Sequence, residues 1–201
     1  MIFEPGEVIR WVHFPLDGVI SFVTPLADGD VVEVATIGNE GIVGVPLVAG
    51  GSLVVRAISQ VGGHALRMAA AQFTRDLDGY PVLRQLVRRY VQALFGQIAQ
   101  AAACNRLHSN EERLSRWLLM SHDRVGSDTF PITHEFLAQM LGSRRATVTL
   151  SAGLLQSAGL IRYQRGRLTI VDRPGLEAVA CECYAVIRAA LDKVVEDPTM
   201  Q

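Results

Sequence analysis

Several things are missing from this chain, and each absence excludes a class. It has only three cysteines, Cys104, Cys181 and Cys183. They are too few and too unevenly spaced for a disulfide framework, which fits a reducing cytoplasm. The opening segment, Met1 to Phe14, has no basic stretch followed by an apolar run, so no export leader is read there. No uninterrupted apolar run reaches the roughly 20 residues that a bilayer requires. Histidine is scarce as well, with five in the chain. Only His13 and His64 fall in the strand-rich first third, without a His-x-His pair or converging carboxylates. The expectation is a soluble cytoplasmic protein that is not an enzyme and holds no metal or cofactor.

What is present is core-forming material and a segregated charge. The chain has 201 residues and is 49% hydrophobic, enough for one large domain or two small ones. A net charge of −1 conceals a local imbalance. From Pro131 to Arg173 lie Arg144, Arg145, Arg162, Arg165, Arg167 and Arg173, against Glu135 and Asp172. From Pro174 onward acids dominate. A phosphate backbone meets the local charge, not the total.

The first third reads as short strands, Val8–Phe14, Val19–Thr24, Val31–Ile37, Leu53–Gln60 and Ala65–Met68, rich in Val, Ile and aromatics. Between them stand turn signals such as Asp17-Gly18, Asp28-Gly29, Gly38-Asn39, Gly50-Gly51 and Gly62-Gly63. Such spacing predicts a jelly-roll or cupin-like β-barrel. From Pro81, suited to a first helical position, a long helix is expected to run to about Leu107. Its apolar residues Leu83, Val87, Tyr90, Leu94, Ala101 and Cys104 recur in a narrow stripe broken near Gln97. The stripe either packs on the chain's own β domain or forms a dimer seam with the same helix of a second subunit. Its length and narrowness favour the seam. Ser109-Asn110-Glu111-Glu112 is a capping box that starts a new helix, placing a hinge around Arg106–Ser109.

The segment from Ile132 to Val171 is the most informative. Thr133 is a plausible N-cap, and Phe136, Leu137, Met140 and Leu141 follow on one apolar face. Gly142 ends that helix in a tight turn, and Ser143 is free to begin the next. Arg144, Arg145, Thr147 and Thr149 then lie near the exposed start of a second helix. The DNA major groove accepts a helix offered by such an N-terminal turn. A small hairpin follows, with Arg165 and Arg167 at its tip as phosphate clamps. After Pro174 a further amphipathic helix is expected to about Val195. On a helix Cys181 and Cys183 would point about 200° apart, so one metal could not take both.

The order β-barrel, long helix, hinge, helix-turn-helix and wing resembles the Crp/Fnr family of bacterial transcription regulators. Ile132-Thr133, Leu137-Ala138, Gly142 and Arg145-Ala146-Thr147-Val148 fall on the family's helix-turn-helix pattern. The resemblance implies an α+β chain with a β-roll sensing domain at 1–78, a dimerisation helix at 79–108 and a winged helix-turn-helix at 109–201. It also implies a homodimer that binds double-stranded DNA and meets RNA polymerase. Thr133, Ser143, Arg144, Arg145, Thr147, Thr149, Arg165 and Arg167 are the DNA-contact candidates. Arg145 can pair bidentately with guanine, whereas Arg144 can read a base or hold a phosphate.

Two departures limit the borrowing. Ala146 stands where the family carries a Glu that accepts from a cytosine amino group, so the family's usual half-site does not transfer. In the cyclic-nucleotide cassette Ile42 replaces the Glu that takes the ribose hydroxyl, and Gly51 replaces the Arg that takes the phosphate. A cyclic nucleotide would then bury its charge unpaired, so cyclic AMP is not expected as the signal. The nearby Arg56 is the one substitute for that countercharge. The competing reading from another class is a cupin-like ligand- or protein-binding module without DNA readout.

Overall fold

The computed structural model describes residues 1–45 and 54–195. The fold is α+β. Strands β1 (Trp11–Pro15), β2 (Val19–Pro25), β3 (Val31–Ile37), β4 (Arg56–Val61) and β5 (Ala65–Ala69) open the chain. They form two antiparallel sheets, β3-β2-β4 and β1-β5, with isolated bridges Phe3↔Ala57 and His13↔Val43. This is an open β-roll, not a closed barrel. The expected start of the fourth strand at Leu53 and the Gly50-Gly51 turn lie outside the described residues, as does Gly51 of the cassette.

A helix that the sequence reading left out, α1 (Ala70–Gly79), follows directly on β5 and buries Phe73 and Leu77. Then α2 (Pro81–Leu107) starts with Pro81 in its first turn, where the missing N–H costs nothing. It ends at His108, whose backbone is extended. The capping box forms: Ser109 Oγ accepts from Glu112 N, and Glu112 accepts from Ser109 N at 2.7 Å. This launches α3 (Asn110–Val125), stopped by Gly126 in the left-handed region at φ 65°. Next come β6 (Thr129–Pro131), α4 (His134–Leu141), α5 (Arg145–Ser157), β7 (Ile161–Gln164) and β8 (Arg167–Ile170). Strands β6, β8 and β7 make the three-stranded wing sheet.

The C-terminal helix expected from Pro174 to Val195 is two helices, α6 (Arg173–Val179) and α7 (Cys183–Val195). Ala180 turns extended (φ −65°, ψ 145°) and breaks the run. Helix α7 lies along α2 and joins two cores. Tyr184 and Ile187 pack with Leu114, Trp117 and Leu118 of α3, while Val194 packs with Phe22, Ile37, Tyr90 and Leu94 of the β-roll and α2. It therefore braces the two halves of one protomer.

The seam assignment needs correction. Val87, Tyr90, Leu94, Ala101 and Cys104 are buried within their own protomer, and Leu83 packs beside Val87. Gln97, where the stripe breaks, is also buried and donates to Thr36 O at 3.2 Å and Thr36 Oγ1 at 3.1 Å. These residues pack on the β-roll, α1 and the α6–α7 region. An apolar stripe of this width is satisfied by whichever sheet or helix reaches it first, and periodicity does not say which. The outward face of α2 is the adjacent one, with Gln85, Arg88, Gln92, Phe95, Ala99, Ala102 and Arg106.

The two halves also share packing and charge. Val23 of β2 is part of the core formed by α3, α4, α5 and the wing, with Val31 and Ile58 against it. Arg124 of α3 reaches the turn after β3, where its Nε and one of its terminal nitrogens donate to Glu40 Oε1 at 2.9 and 2.7 Å. No helix among the described residues is long and apolar enough to cross a membrane.

Candidate nucleic-acid interface

The helix-turn-helix is built by local rules. Thr133 caps α4 by accepting from Phe136 N at 3.1 Å. At the other end Gly142 adopts φ 56°, its N–H bonds to Gln139 O, and Ser143 N bonds to Ala138 O at 2.9 Å. This crossed pair of bonds is a Schellman turn, and it needs a residue free to take positive φ. Space is tight as well, since a Cβ on Gly142 would lie 3.1 Å from Val32 Cγ2 of β3 and that side chain would have to give by a few tenths of an ångström. The β3-β2-β4 sheet thus abuts the turn itself.

Helix α5 buries Val148, Ser151, Ala152 and Leu155 and presents the opposite side of its first turns outward. Arg144, Arg145, Ala146, Thr147 and Thr149 are all exposed there. Arg145 has only a loose pair with Glu135, Nε to Oε2 3.7 Å, and both side chains are well exposed, so the pair restrains it little. Thr149 Oγ1 meets His134 Nδ1 at 3.0 Å. Ser143 is half-buried and donates to Asn110 Oδ1 at 2.7 Å, so its hydroxyl holds the turn onto α3. Thr133 likewise uses its oxygen as a cap. Of the DNA-contact candidates on the two helices, the structure leaves Arg144, Arg145, Thr147 and Thr149 exposed around the first turns of α5, with Arg145 and Thr149 one turn apart on one side and Thr147 on the other, and turns Thr133 and Ser143 to structural work.

The wing turn joins β7 and β8 through Arg165 and Gly166, with Gln164 paired to Arg167. Both turn residues have positive φ, 50° for Arg165 and 74° for Gly166, as a type I′ turn requires. Arg165 is the only non-glycine residue with positive φ among the described residues. Arg165 and Arg167 are exposed at the tip. Tyr163 fastens the wing: its ring stacks on His134 at 4.3 Å, its hydroxyl donates to Ile132 O at 3.0 Å, and its N–H donates to Gln156 Oε1 at 2.7 Å. Burial, then the Arg145 charge, lowers the His134 imidazole below its ordinary value, which keeps it neutral beside Thr149. His134, Gln156 and Tyr163 were not read from the sequence, since nothing in their spacing marks them as partners.

Arg56, the basic residue nearest in sequence to the missing phosphate countercharge, is already paired. Arg56 Nε donates to Glu4 Oε2 at 2.9 Å, and Ile42 lies half-buried against the β-roll core.

A second cluster sits at the hinge. The ligand atoms of Cys104, His108, Cys181 and Cys183 all lie within 4.8 Å of one another. The reason that Cys181 and Cys183 converge is the break after α6: Cys181 is outside any helix and Cys183 is the first residue of α7. The expectation that they diverge assumed one continuous helix.

Comparisons with known proteins agree with this geometry. Residues 112–179 match the Crp-like helix-turn-helix domain. TTHB099, a CRP-family transcriptional regulator from Thermus thermophilus, superposes with a TM-score of 0.73 at 21% identity, covering 89% of this chain and 92% of that one. FixK2 from Bradyrhizobium japonicum gives 0.77 at 14% identity, over 90% and 92%. CLP, the c-di-GMP responsive global regulator from Xanthomonas campestris, gives 0.66 at 14% identity, over 84% and 88%. No curated protein sequence matches the chain. The fold and the matched domain define a winged helix-turn-helix DNA-binding regulator. Residues 112–179 therefore carry a Crp-like helix-turn-helix domain, and the chain as a whole has the fold of the Crp/Fnr regulators it superposes on.

Proposed function

We propose that the protein is a sequence-specific regulator that binds duplex DNA as a homodimer, controlled by a signal received at the β-roll. The carrying observation is the open first turn of α5, where Arg144, Arg145, Thr147 and Thr149 all stand exposed on a Crp-like domain. In this reading residues 1–78 receive the signal, 79–108 carry the dimer contact and 109–201 read DNA. The helix offers Arg145 to a guanine edge, while Arg165 and Arg167 hold phosphates beside the groove. Two such helices reach half-sites about 34 Å apart. The outward face of α2 supports the dimer: Gln85, Arg88, Gln92, Phe95, Ala99, Ala102 and Arg106 alternate at three and four residues, and Phe95 is 70% exposed. Small residues at Gly96, Ala99, Ala102 and Ala103 admit a close second helix. No catalytic role is proposed. RNA polymerase is the protein partner the reading implies, and the cytoplasm the place of action.

The test is selection of bound duplexes from a random pool, then titration of the selected site across a salt series. Binding that weakens steeply with salt is expected. No salt-dependent affinity would instead favour a ligand- or protein-binding module. Arg145→Ala should lower specific affinity by about 1–3 kcal/mol and non-specific affinity much less. Arg167→Ala should lower both about equally. Equal losses in Arg145→Ala remove it as a base reader.

A further inference from the structure

Cys104 lies in the last turn of α2 and His108 caps that helix one turn later, while Cys181 and Cys183 come from the break between α6 and α7. Cys104 Sγ is 3.5 Å from Cys181 Sγ, and Cys183 Sγ is 3.5 Å from His108 Nδ1. A tetrahedral ion with sulfur at about 2.3 Å and nitrogen at about 2.0–2.1 Å places its ligands roughly 3.5–3.8 Å apart. Two of the observed edges match that size, and no pair exceeds 4.8 Å. From this convergence of three thiols and one imidazole we propose that Cys104, His108, Cys181 and Cys183 form a site for a single thiophilic divalent cation of the zinc class. This site clamps the C-terminal end of α2 to the α6–α7 turn.

Two independent features of the surroundings fit a bound cation. The first is orientation. His108 Nε2 is 3.3 Å from Glu182 Oε2, a carboxylate that favours the ring tautomer with its proton on Nε2 and so turns the Nδ1 lone pair toward the thiols. Gln100 Nε2 donates to Cys183 Sγ at 3.1 Å, the kind of hydrogen bond that supports a bound thiolate.

The second is charge. Arg113 and Arg116 stand beside the cluster, and both Nε atoms are buried without a hydrogen-bond partner. Arg116 is 6% exposed, and neither guanidinium has a carboxylate within ion-pair distance among the described residues. Buried cations need countercharge, and three thiolates with a neutral imidazole around a divalent ion carry a net −1. Arg116 also lies in the field of Glu33, whose carboxyl burial raises to about 7, so that it supplies only part of that charge near neutral pH.

All three cysteines are free and buried, and their sulfur separation is far from a disulfide bond.

The site is wired to the reading head. Ser109 and Asn110 follow His108 directly. Asn110 accepts from Ser143 in the helix-turn-helix turn and donates to Ser151 of α5 at 3.1 Å. Arg113 donates to the Leu141 carbonyl at the end of α4. Ordering the His108 end of the hinge therefore orders the residues that hold α4 and α5. The regulatory consequence, that the metal-loaded form binds DNA more tightly than the stripped form, rests on the DNA-binding reading. The metal site does not.

The experiment uses the full chain, purified with thiols reduced and stripped with a chelator. Zn2+ uptake is followed by elemental analysis, and Co2+ uptake by the sulfur-to-cobalt absorption of a tetrahedral thiolate site. One ion per chain is expected. Glu182→Gln, which alters only the positioning of His108, should weaken binding by about 10- to 100-fold. Cys104→Ser and Cys183→Ser should lose more than that, with circular dichroism confirming that each variant is folded. No uptake by the folded chain, uptake unchanged in both cysteine variants, or visible iron–sulfur absorption after anaerobic purification overturns the assignment. One ion bound with DNA affinity equal in loaded and stripped forms overturns the regulatory consequence. Tight metal binding with no DNA binding in either form leaves the site standing and sinks the proposed function.

Discussion

Cutting the Glu40–Arg124 contact between the β-roll and α3 should separate the two halves at a measurable energetic cost. The Arg124 side chain is 5% exposed and that of Glu40 is 20% exposed. Arg124 makes two hydrogen bonds to Glu40 Oε1, at 2.9 and 2.7 Å, and a third to Met120 O at 2.7 Å. Glu40 Oε1 also accepts from Gly38 N at 3.1 Å, which shapes the turn after β3. Replacing Glu40 with Ala removes two charge-assisted bonds, each contributing about 1.5–3 kcal/mol, and leaves a guanidinium buried without its partner. Breaking a buried pair from one side costs about 3–5 kcal/mol, and the partial exposure of Glu40 puts the expected loss near 3. Removing both charges is different, because no unpaired ion remains. Glu40→Leu with Arg124→Met should therefore be much closer to the wild type than Glu40→Ala is. The assay is urea unfolding followed by tryptophan fluorescence, since Trp117 is buried in α3 beside the β-roll contact. If the double variant loses as much as the sum of the single ones, the pair is not coupled and the contact does not hold the halves together.

Burial pushes the Glu33 carboxyl up from 4.5 to about 7, against the lowering effects of Ser21, Arg116, Trp117 and Arg124. A raised carboxylic acid contributes stability that is full below about 4.5 and lost as pH rises through about 7. Glu33→Gln should flatten that loss and, at about pH 8, be more stable than the wild type by up to a few kcal/mol. Melting both proteins across this range checks it, and parallel curves would refute the assignment. Phe95→Glu should turn a dimer into a monomer in light-scattering mass measurements while leaving the melting of the monomer fold intact, because Phe95 is exposed in the single chain. A dimer that persists in this variant would place the subunit contact elsewhere.

The sequence by itself determined the elements whose signals are local. The capping box at Ser109–Glu112, the stop at Gly142 and the hairpin around Arg165-Gly166 all formed where their residues stand. Each depends on backbone dihedrals and on hydrogen bonds spanning a few residues, so neighbours in the chain carry the information. The exposure of Arg144, Arg145, Thr147 and Thr149 was legible for the same reason, as helical spacing buries Val148, Ala152 and Leu155 on one side and leaves the rest of the first turns outward.

Tertiary structure alone decided the rest. The stripe from Leu83 to Cys104 is apolar whether a second subunit or the chain's own sheet covers it, and the β-roll and α7 cover it here. Which face of α2 remains for another subunit follows from that packing, not from the periodicity. The break at Ala180 has no proline or glycine to announce it, yet it turns Cys181 and Cys183 from divergent helix positions into neighbours. Their meeting with Cys104 and His108 joins residues far apart in the chain. Local spacing can reveal a turn, but only the folded path brings such distant side chains to within one ion's reach.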